Sequence, residues 1–495
     1  MMTLWKKNIV VFGLLLAPFA LQAQSLDEGL SLYKDHKYEQ AVFALYDVLL
    51  NDANPDNRDQ AQIYLAEGLR KLELYLPALF YYSDLFRIGP KNRYYFNAIE
   101  GLLDIQRKLH DHLIVPNLIN DGLNPDSFGQ LDSASIAQIN YMIGELSFRQ
   151  RKNQDAQAFL EYVADDSHYY PRARYLLGIL NIRRGNPEKA LEHFGAISQM
   201  YKNTGDDDHK YVRDMSKLAA ARVKYGLGQY REAAAQFKEV PRFSESWFTA
   251  MYENSWAYFR LGEYGKALGE LQSSTAPYFS KRHMPEAYVV QGTTYFVLCQ
   301  WDRVRLAVDY FKENYDPMLS DLRSYLEGSR APAEYYQHVI GDTNSNYSIE
   351  LARSVRNTKR FKDFHYLLTH IGWEKKAVSE MKTWRSTRLQ DDLLAILSSQ
   401  QEQLEPAVGN WVRMQLRNRE VMLQHFQNQI NILDFEVTDA ERKWLEQGKE
   451  ILKGRRARLP RPAIPNDQWQ HWGFRREYWK DELGYIEHAV RSECF

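Results

Sequence analysis

Residues 175–199 read YLLGILNIRRGNPEKALEHFGAISQ, and the order of side-chain sizes in this stretch decides the fold. Leu177-Gly178 lies in one apolar run, Gly185-Asn186-Pro187 interrupts it, and Ala190, Phe194 and Ile197 follow at spacings of four and three. Such spacings place side chains on one face of a helix, and Gly-Asn-Pro is a turn signal. Gly178 lets a second helix approach closely, and Ala190, twelve positions on, presents a small residue of its own at the crossing. The stretch predicts a helix hairpin.

The same arrangement recurs along the chain. A small residue is followed twelve positions later by Ala at Gly29/Ala41, Ala66/Ala78, Gly144/Ala156, Gly178/Ala190, Ala221/Ala233 and Ser255/Ala267, with Gly292/Val304 as a seventh pair. Four residues after the second member stand Leu45, Tyr82, Leu160, Phe194, Phe237, Leu271 and Val308, and three further on Val48, Leu85, Val163, Ile197, Val240 and Phe311, with Ser274 the exception. Gly228 and Gly262 mark further turns. The second members lie 37, 78, 34, 43, 34 and 37 residues apart, and the interval of 78 leaves room for a degenerate hairpin around Tyr94–Asn120.

This pattern resembles the tetratricopeptide repeat (TPR), a helix-turn-helix of about 34 residues. The resemblance rests on Leu177-Gly178 with Ala190 and Phe194, on Leu65-Ala66 with Ala78, Tyr82 and Pro90, and on Ser255, Tyr258, Gly262, Tyr264 and Ala267. The opening Trp of the family pattern is missing from every repeat. The resemblance implies an all-α, TPR-like right-handed helical solenoid of about eight hairpins over residues 24–318. It also implies a groove, lined by the first helices, that holds proteins or peptides.

On the first helices, the face away from the small packing residue carries Tyr141, Glu145, Phe148 and Arg149, then Arg222 and Tyr225, then Tyr252, Trp256, Phe259 and Arg260, then Phe296. Aromatic and Arg side chains give large, rigid contact area, which suits a partner-binding groove. Burial of the same aromatics between neighbouring repeats is the competing reading.

The 495 residues are 44% hydrophobic and 26% charged, ordinary for a folded chain, and 26 Gly with 17 Pro are few for an all-β protein. Lys plus Arg number 63 against 64 acids, and a net charge of −1 argues against bulk nucleic-acid binding. Residues 1–23, MMTLWKKNIVVFGLLLAPFALQA, run basic, apolar, small, the order of a secretory signal peptide. The expectation is export to the periplasm, or the periplasmic face of the outer membrane, of a Gram-negative bacterium. Cys299 and Cys494, 195 residues apart, are expected to be free thiols.

Beyond the repeats, residues 319–454 keep helical periodicity without the repeat. Over residues 411–453 a heptad runs through Leu416, Leu423, Ile430, Val437, Trp444 and Ile451, with Val412, Phe426, Leu433 and Ala440 between and Arg419 and Gln447 as breaks. It fits a dimerisation helix or a long helix packed on its own solenoid. Thr438-Asp439, a potential cap that would cut the run, favours the second. Residues 455–495 form a basic linker and an aromatic tail. Lys453, Arg455, Arg456, Arg458 and Arg461 are a possible contact for membrane or wall polymer, and Trp469, Trp472, Phe474, Tyr478, Trp479 and Tyr485 are expected to dock. With the signal and the repeats, the ending W-G-F-x-x-E-Y-W-x-D-E-L-G-Y at 472–485 resembles envelope TPR proteins of deltaproteobacteria, some of them in adventurous-gliding machinery.

No hydrolase, zincin, nucleotide or dinucleotide motif occurs, so no enzyme, cofactor or metal is expected. His110-Asp111-His112 would point its imidazoles apart on a helix, and Asp206-Asp207-Asp208-His209 reads as a solvated loop. Glu245-Ser246 has the dipeptide of helical-solenoid lytic transglycosylases, which makes a peptidoglycan-acting enzyme or its accessory factor the alternative to a scaffold.

Overall fold

The computed structural model describes residues 25–279, 284–341, 348–448, 463, 464, 466–471, 473 and 477–494. The signal-like segment, the basic linker with Lys453, Arg455, Arg456, Arg458 and Arg461, and Ile451, Trp472 and Phe474 lie outside the described residues. Twenty α-helices and three 3-10 turns, with no strand among the described residues, make the protein all-α. The chain forms two compact units, one of residues up to 105 plus 373–397, the other of residues 106–372 plus those from 398 on.

Eight hairpins follow one another. They are α1 (Leu26–Lys34) with α2 (Tyr38–Asn51), α3 (Pro55–Lys71) with α4 (Tyr75–Ile88), α5 (Tyr95–Leu109) with α6 (Val115–Gly122), and α7 (Ser133–Arg149) with α8 (Asn153–Glu161). Next come α9 (Tyr170–Arg183) with α10 (Pro187–Met200), α11 (Asp207–Gly226) with α12 (Tyr230–Lys238), α13 (Trp247–Arg260) with α14 (Tyr264–Ser274), and α15 (Glu286–Val297) with α16 (Trp301–Glu327). Each of the seven small-residue pairs spans one of these hairpins. Ala41, Ala78, Ala156, Ala190, Ala233, Ala267 and Val304 are wholly buried. At Gly29, Gly144 and Gly178 the space a side chain would need is filled by Leu45, Leu160 and Phe194, so the large residue four after the Ala comes closest to the glycine. Ser274 also faces inward, its hydroxyl satisfied by the Glu270 carbonyl at 2.7 Å.

One turn geometry is common to all eight hairpins. Five residues before each second member, His36, Glu73, Arg151, Gly185, Gly228, Gly262 and Cys299 adopt positive φ, and His110 does so before Val115. The next N–H reaches back to the helix, as in Lys37 N–H to Leu32 O (2.9 Å) and Gln300 N–H to Tyr295 O (3.0 Å), the helix-ending motif that needs a left-handed residue. Only three of the eight use glycine, so the turns legible in the sequence were the minority. The α5/α6 hairpin has Leu103 and Val115 at its paired positions, and its glycine, Gly101, instead meets Tyr82 of the preceding hairpin.

The remaining helices are α17 (Pro332–Ile340), α18 (Ile349–Arg356), α19 (Lys359–Glu380) and α20 (Arg388–Glu446). The compact units cut across the sequence boundary at residue 318, because residues 373–397 pack on the first hairpins. Glu374 is buried and its carboxylate accepts the N–H groups of Tyr75 (2.9 Å) and Leu76 (3.1 Å), capping α4 where Leu74 has no capping side chain. Trp384, fully buried, donates its indole N–H to Glu39 O at 2.9 Å.

In the other unit the heptad seam packs within the chain. Val412, Leu416, Leu423, Ile430 and Val437 are buried, and α20 runs antiparallel to α16, with Arg305 on Asp434 (2.5 Å) and Glu441 (2.7 Å) at one end and Arg323 on Glu420 (3.5 Å) at the other. The helix begins 23 residues before Trp411 and continues through Pro406. Thr438 does not cut it; its hydroxyl bonds Asp434 O at 2.7 Å within the helix.

The tail corrects the expectation of free thiols. Cys299 and Cys494 form a disulfide, with Cα atoms 5.0 Å apart. Their separation in sequence concealed it, because only the path of residues 477–494 over α14 and the end of α15 brings them together. That path needs two glycines: at Gly265 and Gly269 a side chain would run into the backbone carbonyls of His488 and Ile486. His488 N–H donates to Gly265 O (3.0 Å), Gly484 N–H to Ser273 Oγ (3.0 Å) and Glu493 N–H to Leu298 O (2.8 Å).

Candidate partner-binding face

The residues singled out on the first helices fall into two differently covered stretches of the second unit. On α7, Tyr141 is buried and stacks on Tyr169 with ring centres 5.2 Å apart. Glu145, only 12% exposed, receives Arg360 from α19, Arg149 at 3.5 Å and His112 at 3.6 Å. His112 in turn lies 3.1 Å from Asp363, also on α19. Burial alone would raise the Glu145 carboxyl, but Arg360, then His112 and Arg149, outweigh it and hold it well below the ordinary range. Lys359, at the start of α19, reaches Asp208 at 3.6 Å, and Arg172 grips that same carboxylate through Nε at 2.6 Å. Phe148 lies beneath the Arg183 guanidinium, 4.0 Å from its ring centre. Glu145 is thus covered by the chain's own helix α19, which periodicity could not reveal, since Arg360 lies 215 residues away.

His110 and His112 are not on a helix, as the sequence suggested, but in the turn between α5 and α6. His110 lies edge-on to Tyr366, with ring centres 5.8 Å apart.

On α11, α13 and α15 the picture differs. Arg222 makes a two-pronged bond to Glu253 (2.7 and 2.6 Å) with half of its side chain still exposed. Tyr252 is half-buried with its hydroxyl 3.5 Å from Glu253. Trp256 donates its indole N–H to Glu286 at 2.9 Å, and burial raises the Glu286 carboxyl against that bond. Phe259 meets Trp256 edge-to-face at 5.8 Å, Arg260 sits 4.5 Å over Tyr230, and Tyr225 lies 5.3 Å from Tyr230. Phe296 packs on Trp301 at 5.3 Å. Tyr225, Tyr252, Trp256, Phe259 and Phe296 all rest half-buried on the core, each with part of its ring accessible.

In the tail, Trp469, Trp479 and Tyr485 are largely exposed, at 38, 59 and 55%, and Tyr478 is half-buried against the core. The residue that anchors the tail is Leu483, 2% exposed, helped by Arg242, which donates to the carbonyls of Lys480, Asp481 and Leu483. Of the tail aromatics expected to dock, Tyr478 packs on the core and Tyr485 lies 5.0 Å beneath Arg242, while Trp469 and Trp479 are exposed; Leu483 was not among the expected residues. The glycine pair spaced by four in α14 was the available signal for a backbone crossing. Glu245, of the Glu-Ser dipeptide, is exposed in the turn before α13.

Residues 141–199, which span most of α7/α8 and α9/α10, match the tetratricopeptide repeat family model. These two hairpins are tetratricopeptide repeats. No curated protein sequence matches the chain. Among solved structures, a tetratricopeptide repeat protein from Parabacteroides merdae is 16% identical, over 56% of this chain and 93% of that one, with a TM-score of 0.31. The apo form of RapI is 12% identical over 77% of this chain and 97% of its own, with a TM-score of 0.33. The apo quorum sensor NprR from B. thuringiensis is 13% identical over 74% and 97%, with a TM-score of 0.30.

Proposed function

We propose that this TPR chain is an exported, non-enzymatic scaffold that binds a protein or peptide on the α11–α13 stretch of its first-helix face. The observation that carries the reading is the contrast along that face. Tyr141 and Glu145 are engaged by the chain itself, whereas Arg222, Tyr252, Trp256 and Phe259 form a contiguous row with accessible rings and one half-exposed guanidinium. Such a row offers large rigid area at small entropic cost, with the half-exposed Arg222 guanidinium, paired with Glu253, beside it. The Cys299–Cys494 bond supports export, since disulfides persist in oxidising compartments. Assembly or gliding machinery of a Gram-negative envelope is the setting that the signal-like N-terminus and the aromatic ending favour.

The test places a photo-crosslinking amino acid at Trp256 or, separately, at Phe148, in envelope preparations. Adducts of defined mass from position 256 and none from 148 support the reading. Adducts from neither position, or the same set from both, overturn it.

A further inference from the structure

A cluster beside the first-helix face has no part in the binding row. Loop residue His168 and the N-terminal end of α11 bring together two imidazoles and a carboxylate: His168 precedes Asp206 by 38 residues, and His209 follows Asp206 by three. His168 Nδ1 stands 3.9 Å from Asp206 Oδ2, His209 Nδ1 stands 4.0 Å from Asp206 Oδ1, and the two imidazoles lie 4.7 Å apart centre to centre. The donor atoms of all three residues lie within 4.8 Å of one another.

The tautomer of His209 is fixed by its neighbours. Its Nε2 lies 3.2 Å from the His168 carbonyl oxygen, which can only accept, so Nε2 carries the proton. In the neutral ring Nδ1 then turns a lone pair toward a carboxylate oxygen, and either a second ring proton or a metal ion between the two acceptors satisfies that arrangement. A backbone carbonyl on the remote nitrogen is the arrangement that orients metal-bound histidines. Asp206 is itself held in place, accepting the His209 N–H at 2.8 Å as the cap of α11. The neighbouring Asp208 binds Arg172 and Lys359 and also stands 4.0 Å from His168 Nε2.

We propose that His168, Asp206 and His209 form a zinc site with a fourth position open to water or to a group from a partner. Two imidazoles and a carboxylate suit Zn²⁺, with bonds of about 2.0–2.2 Å in tetrahedral geometry. Donor atoms about 3.3 Å apart would satisfy those bonds, so the cluster must contract by about 1 Å on average. His168, with half of its side chain exposed, is free to make that movement.

The test is titration of the tag-free, EDTA-stripped full chain with Zn²⁺ by calorimetry, with Co²⁺ absorption as a second probe. Binding of one ion per chain is expected, at least tenfold weaker in His168→Ala, in His209→Ala and in Asp206→Asn, and unchanged in Asp207→Asn, whose carboxylate is outside the cluster. Co²⁺ should give the intense visible bands of a tetrahedral site, lost in His168→Ala. His168 is exposed, so its variant should retain the far-ultraviolet dichroism of the native chain. Absence of one-to-one binding, or binding that His168→Ala leaves unaltered, overturns the proposal.

Discussion

The hairpins and the tail are built on opposite principles. In a hairpin the contacts that matter are about twelve to sixteen residues apart: Gly178 accepts Phe194, and the turn at Gly185 closes on the helix just before it. In the tail they are about 195 to 240 residues apart, and they depend on a disulfide, a glycine-floored crossing and hydrogen bonds to backbone carbonyls. Local contacts cost little loop-closure entropy, so a short pattern can specify them; distant ones need a covalent or close-fitting lock. The comparison shows why one region repeats and the other does not.

The largest loss of stability is expected from hollowing out a hairpin. Phe194→Ala removes a ring that is wholly buried against Gly178 and should cost about 3–5 kcal/mol. Denaturant unfolding of the isolated chain should show a lowered midpoint, with the tail still protected from protease at temperatures below it. The converse experiment is Cys299→Ser. It should remove about 2–4 kcal/mol from the docking of residues 477–494, leave far-ultraviolet dichroism intact and make the tail cleavable by trypsin at Arg491 before any helix melts. If both variants unfold in one step with the same loss, hairpins and tail are a single cooperative unit and the distinction fails.

A buried acid lies where hairpin and tail meet. Glu270, next to the crossing glycine Gly269, is 5% exposed, and burial pushes its carboxyl up to about 8, against Lys238 and the Asn254 side-chain amide at 3.0 Å. A folded-state value above the ordinary 4.5 means that the folded chain holds the proton more tightly. This stability is therefore complete below pH 4.5 and is lost as pH rises to about 8, with a slope of at most about 1.4 kcal/mol per pH unit. The difference in unfolding midpoint between native chain and Glu270→Gln should shift across that window and be flat above it. A difference independent of pH would show that Glu270 titrates normally.

The smallest effect has the opposite sign. Arg151 takes φ +61° where Gly185, Gly228 and Gly262 serve the other hairpins. Arg151→Gly should therefore stabilise the α7/α8 turn by up to about 1 kcal/mol, read as a higher thermal midpoint. A loss instead would mean that the Arg side chain contributes more than its backbone strain costs.

What could be read from sequence follows this division. Seven hairpins were marked by Gly29/Ala41 and its equivalents, whereas the eighth was located only by the gap it filled, since Leu103 and Val115 replace the small pair. The heptad from Val412 to Val437 was visible, but not the start of its helix at Arg388. The first-helix face was identified with its aromatics, yet nothing near Glu145 in sequence announces Arg360, Lys359 or Asp363.

By itself, then, the sequence determined that this chain is a run of helix hairpins, because size and polarity at spacings of three, four and twelve act between neighbours. Only the tertiary structure decided which part of the face α19 occupies, that Cys299 meets Cys494, and that His168 joins Asp206 and His209. Each of these depends on where distant segments return, and a periodic pattern carries no information about that.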